Sequence, residues 1–393
     1  MNEVFVVSAV RTAIGDFGGS LRDVAPTRLA TSVTAEAVRR SGVAADAIGH
    51  VVFGQVIPTE PNDAYLARIA ALNAGLPQSV PAMTLNRLCG SGLQAALSAA
   101  QAIMLGDTDI ALAGGAENMS RAPFLSTSMR WGSRMGDAVL LDGLTGALSD
   151  PFNQILMGVT AENVAQRHDI SRAEQDALAL ESHRRAAVAI AEGRFKEQIL
   201  PVEVKAKGKA SVFDQDEHVR ANVSADELAG LRTLFKKEGG SVTAGNASGI
   251  NDGAAALVLA SGNAVREHGL RPLARLVSYA HAGVDPAYMG IGPVPATRQA
   301  LQRAGLSVAD LDVIESNEAF AAQACAVSCL LDFDPQKVNP NGSGISLGHP
   351  VGATGAINTV KLVYEMQRRN ARYGLVTMCI GGGQGIAAIF ERM

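Results

Sequence analysis

Apolar runs alternate along this chain with stretches whose apolar positions recur every three or four residues, and the two textures predict strands and helices in turn. Val4 to Ala9 is an apolar run suited to a buried strand. Arg11 to Gly15, with Gly18 and Gly19, reads as a loop. Thr27 is placed to cap a helix carrying Leu29, Ala30, Val33, Ala37 and Val38 on one face, closed by Gly42. His50 to Ile57 predicts a second strand, Pro58 to Asp63 a loop, and Ala64 to Ala74 a helix. The short extended run Ala82-Met83-Thr84-Leu85 leads into Cys89, followed by Gly90 and Gly92, and an Ala-rich helical stretch runs from Leu93 to Leu105. Asp109 to Ala113 then reads as a strand ending in Gly114-Gly115-Ala116-Glu117-Asn118. Strands alternating with helices predict a parallel α/β layer.

The texture changes between about Met119 and Gly249. Two capping boxes, Ser171-Arg172-Ala173-Glu174 and Ser224-Ala225-Asp226-Glu227, each announce a helix, the first running to about Glu192. Lys205, Lys207 and Lys209 alternate with neutral residues and predict a strand with a basic face. Trp131 sits in a mixed basic and apolar loop. Thr243 to Gly249 leads out of this segment, and Ala254 to Ala260 returns to a core-like run.

The pattern then repeats. Leu273 to Ala280 mirrors the opening strand, Thr297 to Ala304 the first helix, and Leu311 to Glu315 the second strand. Gly348-His349-Pro350-Val351-Gly352, with a helix to Met366, mirrors the Cys89 segment. Leu375 to Gly385 mirrors Asp109 to Glu117. One α/β unit used twice accounts for this spacing. It divides the chain into residues 1–118 with 250–272, an inserted segment 119–249, and residues 273–393.

With 393 residues, 47% hydrophobic, 18% charged, 4% aromatic and 41 glycines, the chain has the profile of a compact α/β protein built from small aliphatic residues. A net charge of −4 supplies no general attraction for nucleic acid or membrane surfaces. No uninterrupted apolar run approaches the roughly 20 residues of a membrane span. The N-terminus lacks a basic leader and reads as a first strand. Four cysteines in so long a chain do not make a disulfide framework, and Cys325 and Cys329 read as core. No His/Cys cluster has metal-ligand spacing. A cytoplasmic location is expected.

Three reactive side chains fall at strand ends or helix starts: Cys89, His349 and Cys379. A fourth polar segment, Ser316-Asn317-Glu318-Ala319-Phe320, follows a buried strand. Ligands gather at the carboxyl ends of strands in such sheets, so these segments are expected to converge. Unpaired N–H groups at the start of the helix after Cys89 favour an anion there, and so a thiolate. A cysteine and a histidine form a nucleophile–base pair. Singly, each has an ordinary explanation: a buried structural thiol, a loop histidine, a packed cysteine, a solvated glutamate. Their mirrored, glycine-flanked settings favour chemistry.

Asn86-Arg87-Leu88-Cys89-Gly90-Ser91-Gly92, Asn317-Glu318-Ala319-Phe320, Gly348-His349-Pro350 and Cys379-Ile380-Gly381-Gly382-Gly383 together resemble the thiolase family of acyl-CoA acetyltransferases. The likeness runs from Val10-Arg11-Thr12 to the C-terminus, and Val51 to Gly54 with Thr59 to Leu66 looks most like bacterial β-ketothiolases of polyhydroxyalkanoate synthesis. The resemblance implies a thiolase fold, five layers αβαβα, with an inserted loop domain. It implies acyltransferase chemistry on short chains without a cofactor, with acetyl-CoA, acyl-CoA and CoA as substrates. Cys89 would become an S-acyl enzyme with His349 as base, and Cys379 would deprotonate acetyl-CoA. The N–H groups of Cys89 and Gly381 would hold one oxyanion, while His349 and a water on Asn317 would hold the enolate. Met157, Arg220, Phe235, Ala244 and Ser248 match family positions along CoA. Met289, Ala319 and Phe320 match the acyl end.

Leu156 departs from the family, standing where many relatives have histidine. Ketoacyl synthases share this layout but use a second histidine where Asn317 stands and lack the second cysteine. A non-catalytic lipid carrier of the same fold would not need Cys89, His349 and Cys379 together. The loop around Trp131 resembles the family's tetramer-forming loop, which implies a homotetramer.

Overall fold

The computed structural model describes residues 2–206 and 209–393. Its first half opens with strand β1 (Val4–Thr12), buried at every position. Helix α1 (Pro26–Ser41) follows, then β2 (His50–Gly54), α2 (Leu66–Asn73), β3 (Ala82–Leu85), α3 (Ser91–Leu105) and β4 (Ile110–Asn118). The insertion carries α4 (Met157–Arg167) and α5 (Arg172–Ala191), after which β5 (Asn251–Ser261) completes the half. The second half contains β6 (Ala274–Gly283), α6 (Pro293–Ala304), β7 (Val313–Ser316), α7 (Ala321–Leu331), α8 (Thr354–Arg369), β8 (Tyr373–Ile380) and β9 (Gln384–Arg392).

The main sheet reads β7-β8-β9-β6-β1-β5-β4-β2-β3. Outward from the central pair β1 and β6, both halves run first, fourth, third and second strand, with β3 added at one edge. That is the duplication expected from the sequence, visible as strand order. The halves join through a short register, Phe5 opposite Arg275 and Val6 opposite Ala274. The sheet is mixed, not a parallel layer: β2 pairs in parallel with β3 and β4, and β7 with β8. The pairs β4–β5, β1–β5, β6–β9 and β8–β9 are antiparallel. Between β8 and β9 the cause is local, because Gly382 and Gly383, both at positive φ, make a tight hairpin that forces reversal.

Helix α1 covers β1, β4 and β5 on one side, and α6 covers β6, β8 and β9 on the other. Helices α3 and α8 lie against each other between the two half-sheets, α3 on β2 and β4, α8 on β7 and β8. The resulting order is helix, sheet, helices, sheet, helix. The stretch Leu88–Leu105 is long and apolar enough to cross a membrane, and in this fold most of it is α3, buried in the middle layer.

Where α3 meets α8 their backbones touch. A methyl group on Gly92 would lie 2.6 Å from the backbone nitrogen of Ala356, and one on Gly355 would lie 2.2 Å from that of Leu93. Only glycine permits that approach. Because both helices begin beside a reactive residue, this crossing sets Cys89 and His349 side by side.

Several boundaries differ from the expected ones. Helix α1 is capped by Ala25 with Pro26 at its first position, and Thr27 lies inside the first turn. Proline loses no hydrogen bond there and presets the helical φ. Strand β2 stops at Gly54: the Gln55 N–H still donates to the Leu85 carbonyl, but the N–H groups of Val56 and Ile57 after it go to the Glu117 carboxylate instead. Strand β4 continues through its glycines to Asn118, which pairs with Asp252 of β5. Both capping boxes form. The lysine-rich stretch is two strands, Val202–Ala206 and Lys209–Phe213, paired antiparallel; Lys207 lies outside the described residues. Cys329 is exposed and Cys325 half-buried, so neither is core.

Candidate active site

The turn that presents Cys89 is knitted by its own side chains. Asn86 Oδ1 accepts the Leu88 N–H at 2.8 Å, and Ser91 Oγ accepts the Arg87 N–H at 2.8 Å while donating to the Leu88 carbonyl at 2.7 Å. Leu88 is held at φ 46°, an uncommon conformation for a branched side chain. This turn delays α3 until Ser91, so Cys89 stands two residues before the helix, with Gly90 as cap. A methyl on Gly90 would come within 2.6 Å of Ile380 Cδ1. The bare glycine therefore lets the Cys89 turn rest on the strand that carries Cys379.

The two sulfurs share one environment. Cys379 is fully buried near the end of β8 among Met157, Met289, Ala319 and Phe320. Its thiol is pushed far up, chiefly by burial and then by the neighbouring Cys89. Cys89 faces a cavity of about 510 Å³, counting its open mouth, lined also by Val56, Leu88, Leu148, Met157, Met289, Phe320, His349, Val351 and Gly381. Burial raises the Cys89 thiol as well. The N–H groups of Gly381 and of Cys89 itself point at it and pull the other way, and the Glu117 charge adds to the rise. The expected thiolate at rest is thus overturned, because desolvation outweighs the helix start. The thiol needs a base.

His349 is built to be one. Its Nδ1 lies 2.6 Å from Thr354 Oγ1, and that hydroxyl donates its only proton to the Pro350 carbonyl at 2.9 Å. Thr354 is left as an acceptor, so Nδ1 carries the ring proton and Nε2 presents a lone pair. Burial lowers the ring's pKa to about 4, which keeps it neutral near pH 7. Asn317 Nδ2 sits 3.5 Å from Nε2, and Asn317 Oδ1 is buried without a partner among the described residues. Asn251 Oδ1 accepts the His349 N–H at 2.9 Å. Gly348, at φ 106°, leaves room for that amide, since a methyl there would lie 2.4 Å from Asn251 Cγ.

Most of the expected residues converge here: Cys89, His349, Gly381, Met157, Ser248, Met289, Ala319 and Phe320 line one cavity, with Cys379 and Asn317 just behind it. Phe235 reaches it indirectly, packed edge-on against Phe320 with ring centroids 6.4 Å apart. Arg220 and Ala244 do not line it. Arg220 is exposed beside a second cavity with Asn222 and Leu231, and Ala244 is exposed. Leu156 is also exposed and off the cavity wall; Leu148 stands there instead, its carbonyl accepting the Met157 N–H. Glu318 is no solvated charge. It is buried, accepting from Ser182 Oγ and Asn339 Nδ2, and it ties α5 to the Asn317 loop.

Thr354, Asn251 and Leu148 were missed. Thr354 follows His349 by five residues, a spacing that carries no general signal, and Asn251 is 98 residues away in sequence.

Two family models cover nearly all of the sequence: thiolase, N-terminal domain, over residues 4–263, and thiolase, C-terminal domain, over residues 270–392. The chain belongs to the thiolase family. Among its relatives, the β-ketothiolase BktB of Cupriavidus necator is 65% identical over 391 residues, covering 100% of this chain and 99% of that one. An acetyl-CoA acetyltransferase of Pseudomonas aeruginosa is 50% identical over 394 residues, covering both chains completely. The crystal structure of the Bacillus anthracis acetyl-CoA acetyltransferase superposes with a TM-score of 0.98 at 48% identity, covering 100% of this chain and 99% of that one. Human mitochondrial 3-ketoacyl-CoA thiolase in complex with CoA gives 0.96 at 43% identity, with 100% and 98% covered. This thiolase therefore matches its relatives along its whole length, insertion included.

Proposed function

We propose that this thiolase catalyses the reversible Claisen condensation of an acyl-CoA with acetyl-CoA, giving a 3-ketoacyl-CoA and free CoA through an S-acyl Cys89 intermediate. The observation that carries the reading is the pair of thiols, Cys89 and Cys379, close enough for the charge of one to act on the other, beside a histidine whose free lone pair opens on the same cavity.

In the first half-reaction Nε2 of His349 takes the Cys89 proton, and the sulfur attacks the thioester carbonyl. The N–H groups of Cys89 and Gly381, already aimed at that sulfur, stabilise the tetrahedral oxyanion. The C–S bond to CoA breaks, and the leaving thiolate takes a proton from Cys379, whose burial keeps it a thiol until then. Cys89 is now a neutral thioester, so its repulsion of negative charge on Cys379 is gone. In the second half-reaction the Cys379 thiolate removes the α-proton of acetyl-CoA. Protonated His349 and a water held by Asn317 bind the enolate oxygen, and the carbanion attacks the acyl carbonyl. Cys89 leaves, and His349 returns its proton. Thiolysis is the same sequence reversed, with Cys379 activating CoA–SH. The neighbouring reading, a ketoacyl synthase, lacks a job for Cys379; a lipid carrier lacks one for His349 as well.

For CoA, Ser248 lines the cavity and Phe235 packs behind Phe320, and we read the exposed Arg220 and Ala244 of the insertion as further CoA contacts. Apolar lining by Leu88, Leu148, Met157 and Met289 suits a short acyl chain. We read residues 1–118 with 250–272 and 273–393 as the two thiolase units and 119–249 as the CoA-binding and oligomer-forming insertion. Phe124, Leu125, Met129, Trp131 and Met135 are all exposed, the last two at 91% and 96%, which supports a tetramer assembled through this loop. Four free cysteines and bacterial relatives support a cytoplasmic location.

The test mixes the enzyme with acetoacetyl-CoA and CoA and follows acetyl-CoA formed against loss of the enolate absorbance. Acetyl-CoA in step with that loss is expected, and none at any enzyme concentration refutes the reading. Sedimentation tests the tetramer separately.

A further inference from the structure

Glu117 is the penultimate residue of strand β4, its side chain is fully buried, and no step of the reaction uses it. Its carboxylate nevertheless touches both walls of the catalytic cavity. Oε2 accepts the N–H of Val56 at 2.9 Å and that of Gly352 at 2.8 Å, and Oε1 accepts the N–H of Ile57 at 3.1 Å. Val56 and Val351 line the cavity, and Gly352 follows His349 by three residues in the same loop. The contact is close enough to dictate sequence on the other side, since a methyl on Gly352 would lie 2.4 Å from Oε2. A carboxyl group held only by backbone donors is a firm brace, because none of its three donors has a rotamer to change.

We propose that Glu117 is a positioning residue for this thiolase's reaction: its carboxyl group fastens the His349 loop to the loop after β2, and its charge, when it ionises, disfavours a thiolate at Cys89. The proposal rests on the thiolase reading for its assay, but not for its thiol-labelling readout. Three N–H donors favour the charge that burial opposes; burial prevails and brings the pKa of Glu117 up to about 8, so the group holds a proton near pH 7 and ionises as pH rises through that value. Its charge faces Cys89 within the site and Asp63 from the turn before α2, and both interactions disfavour further negative charge. As Glu117 ionises, its charge adds to the burial that keeps Cys89 a thiol.

Two substitutions separate charge from reach. Glu117→Gln keeps the length, removes the charge and turns an amide N–H toward a backbone donor. Glu117→Asp keeps the charge but is one methylene short. Both are expected to lower kcat, by about 10-fold to 100-fold as when an outer partner of a catalytic group is lost, with KM changed less than about threefold. The pH profile of iodoacetamide alkylation of Cys89, read by mass spectrometry, splits them. Glu117→Gln shifts the profile to lower pH, so Cys89 reacts faster while turnover falls; Glu117→Asp leaves it in place. A kcat within about twofold of wild type for both variants overturns the brace. An alkylation profile unmoved in Glu117→Gln overturns the electrostatic part. If Glu117→Gln does not fold, the kcat of Glu117→Asp decides the brace alone, and Glu117→Ala, which also removes the charge, must shift the alkylation profile to lower pH. Should acetoacetyl-CoA thiolysis be absent in the wild type, the thiolase reading fails, and the alkylation profiles still test Glu117.

Discussion

Cys89 and Cys379 are the same side chain in corresponding halves of a duplicated fold, yet the protein makes opposite uses of them. Cys89 is lifted off the end of a short edge strand by a turn at positive φ and stands partly exposed at a cavity mouth. Cys379 is within a buried strand, just before the glycine hairpin, walled in by two methionines. The first is reachable by a bulky thioester; the second meets only what has entered the cavity. The lesson is that a repeated scaffold supplies position, while solvation divides the labour between nucleophile and acid–base group.

Removing each sulfur in turn should break that comparison most sharply. Cys89→Ala is expected to abolish labelling by acetyl-CoA and cut turnover by about 10⁴-fold or more. Cys379→Ser should still acylate on Cys89, but exchange the α-protons of acetyl-CoA about 10²-fold to 10³-fold more slowly. Exchange at the normal rate would reassign the base. Thr354→Val tests the histidine between them. Losing the acceptor at Nδ1 frees the other tautomer, and kcat should drop by about 10-fold to 100-fold, with Thr354→Ser restoring most of it. A drop shared by the serine variant would point to packing.

The scaffold itself gives a smaller effect, read as stability. Gly92→Ala is expected to cost about 3 kcal/mol in chemical denaturation, because its methyl meets backbone on α8. Gly381→Ala presses on the flexible end of Met157, with Leu88 at ordinary contact distance, and should cost under about 1 kcal/mol. The smallest effect is a slope with pH. Glu117 is raised from 4.5 to about 8 in the fold, so the native state keeps a proton that the unfolded chain has released. Its contribution is present below the unfolded value and is lost as pH rises toward 8. Thermal denaturation should show wild type losing stability faster than Glu117→Gln over that window, and parallel curves would remove Glu117 from the titration.

Much of this was legible in the sequence because the informative residues came in runs. The Asn86 to Gly92 segment announces its turn, and the structure shows Asn86 and Ser91 making the bonds such residues make. The strand order of the two halves follows from their matching spacing. What stayed hidden depends on long-range contact. Nothing near Asn251 says that its amide will carry the His349 backbone, and nothing in Gly54 says that a carboxylate 63 residues on will end its strand. The thiolate expected at Cys89 failed for a related reason: a local rule about helix starts gave no account of how dry the site becomes once four chain segments close over it.

The backbone contacts of Gly92 with Ala356 and of Gly355 with Leu93 leave the span between sulfur and imidazole independent of the acyl-pocket side chains supplied from outside the two helix starts. Leu148 and Met157 belong to the insertion, and Met289 to a turn before α6, none of them part of that joint. Substrate range is thus open to redesign, or to drift, in a wall that can be rebuilt without resetting the catalytic gauge.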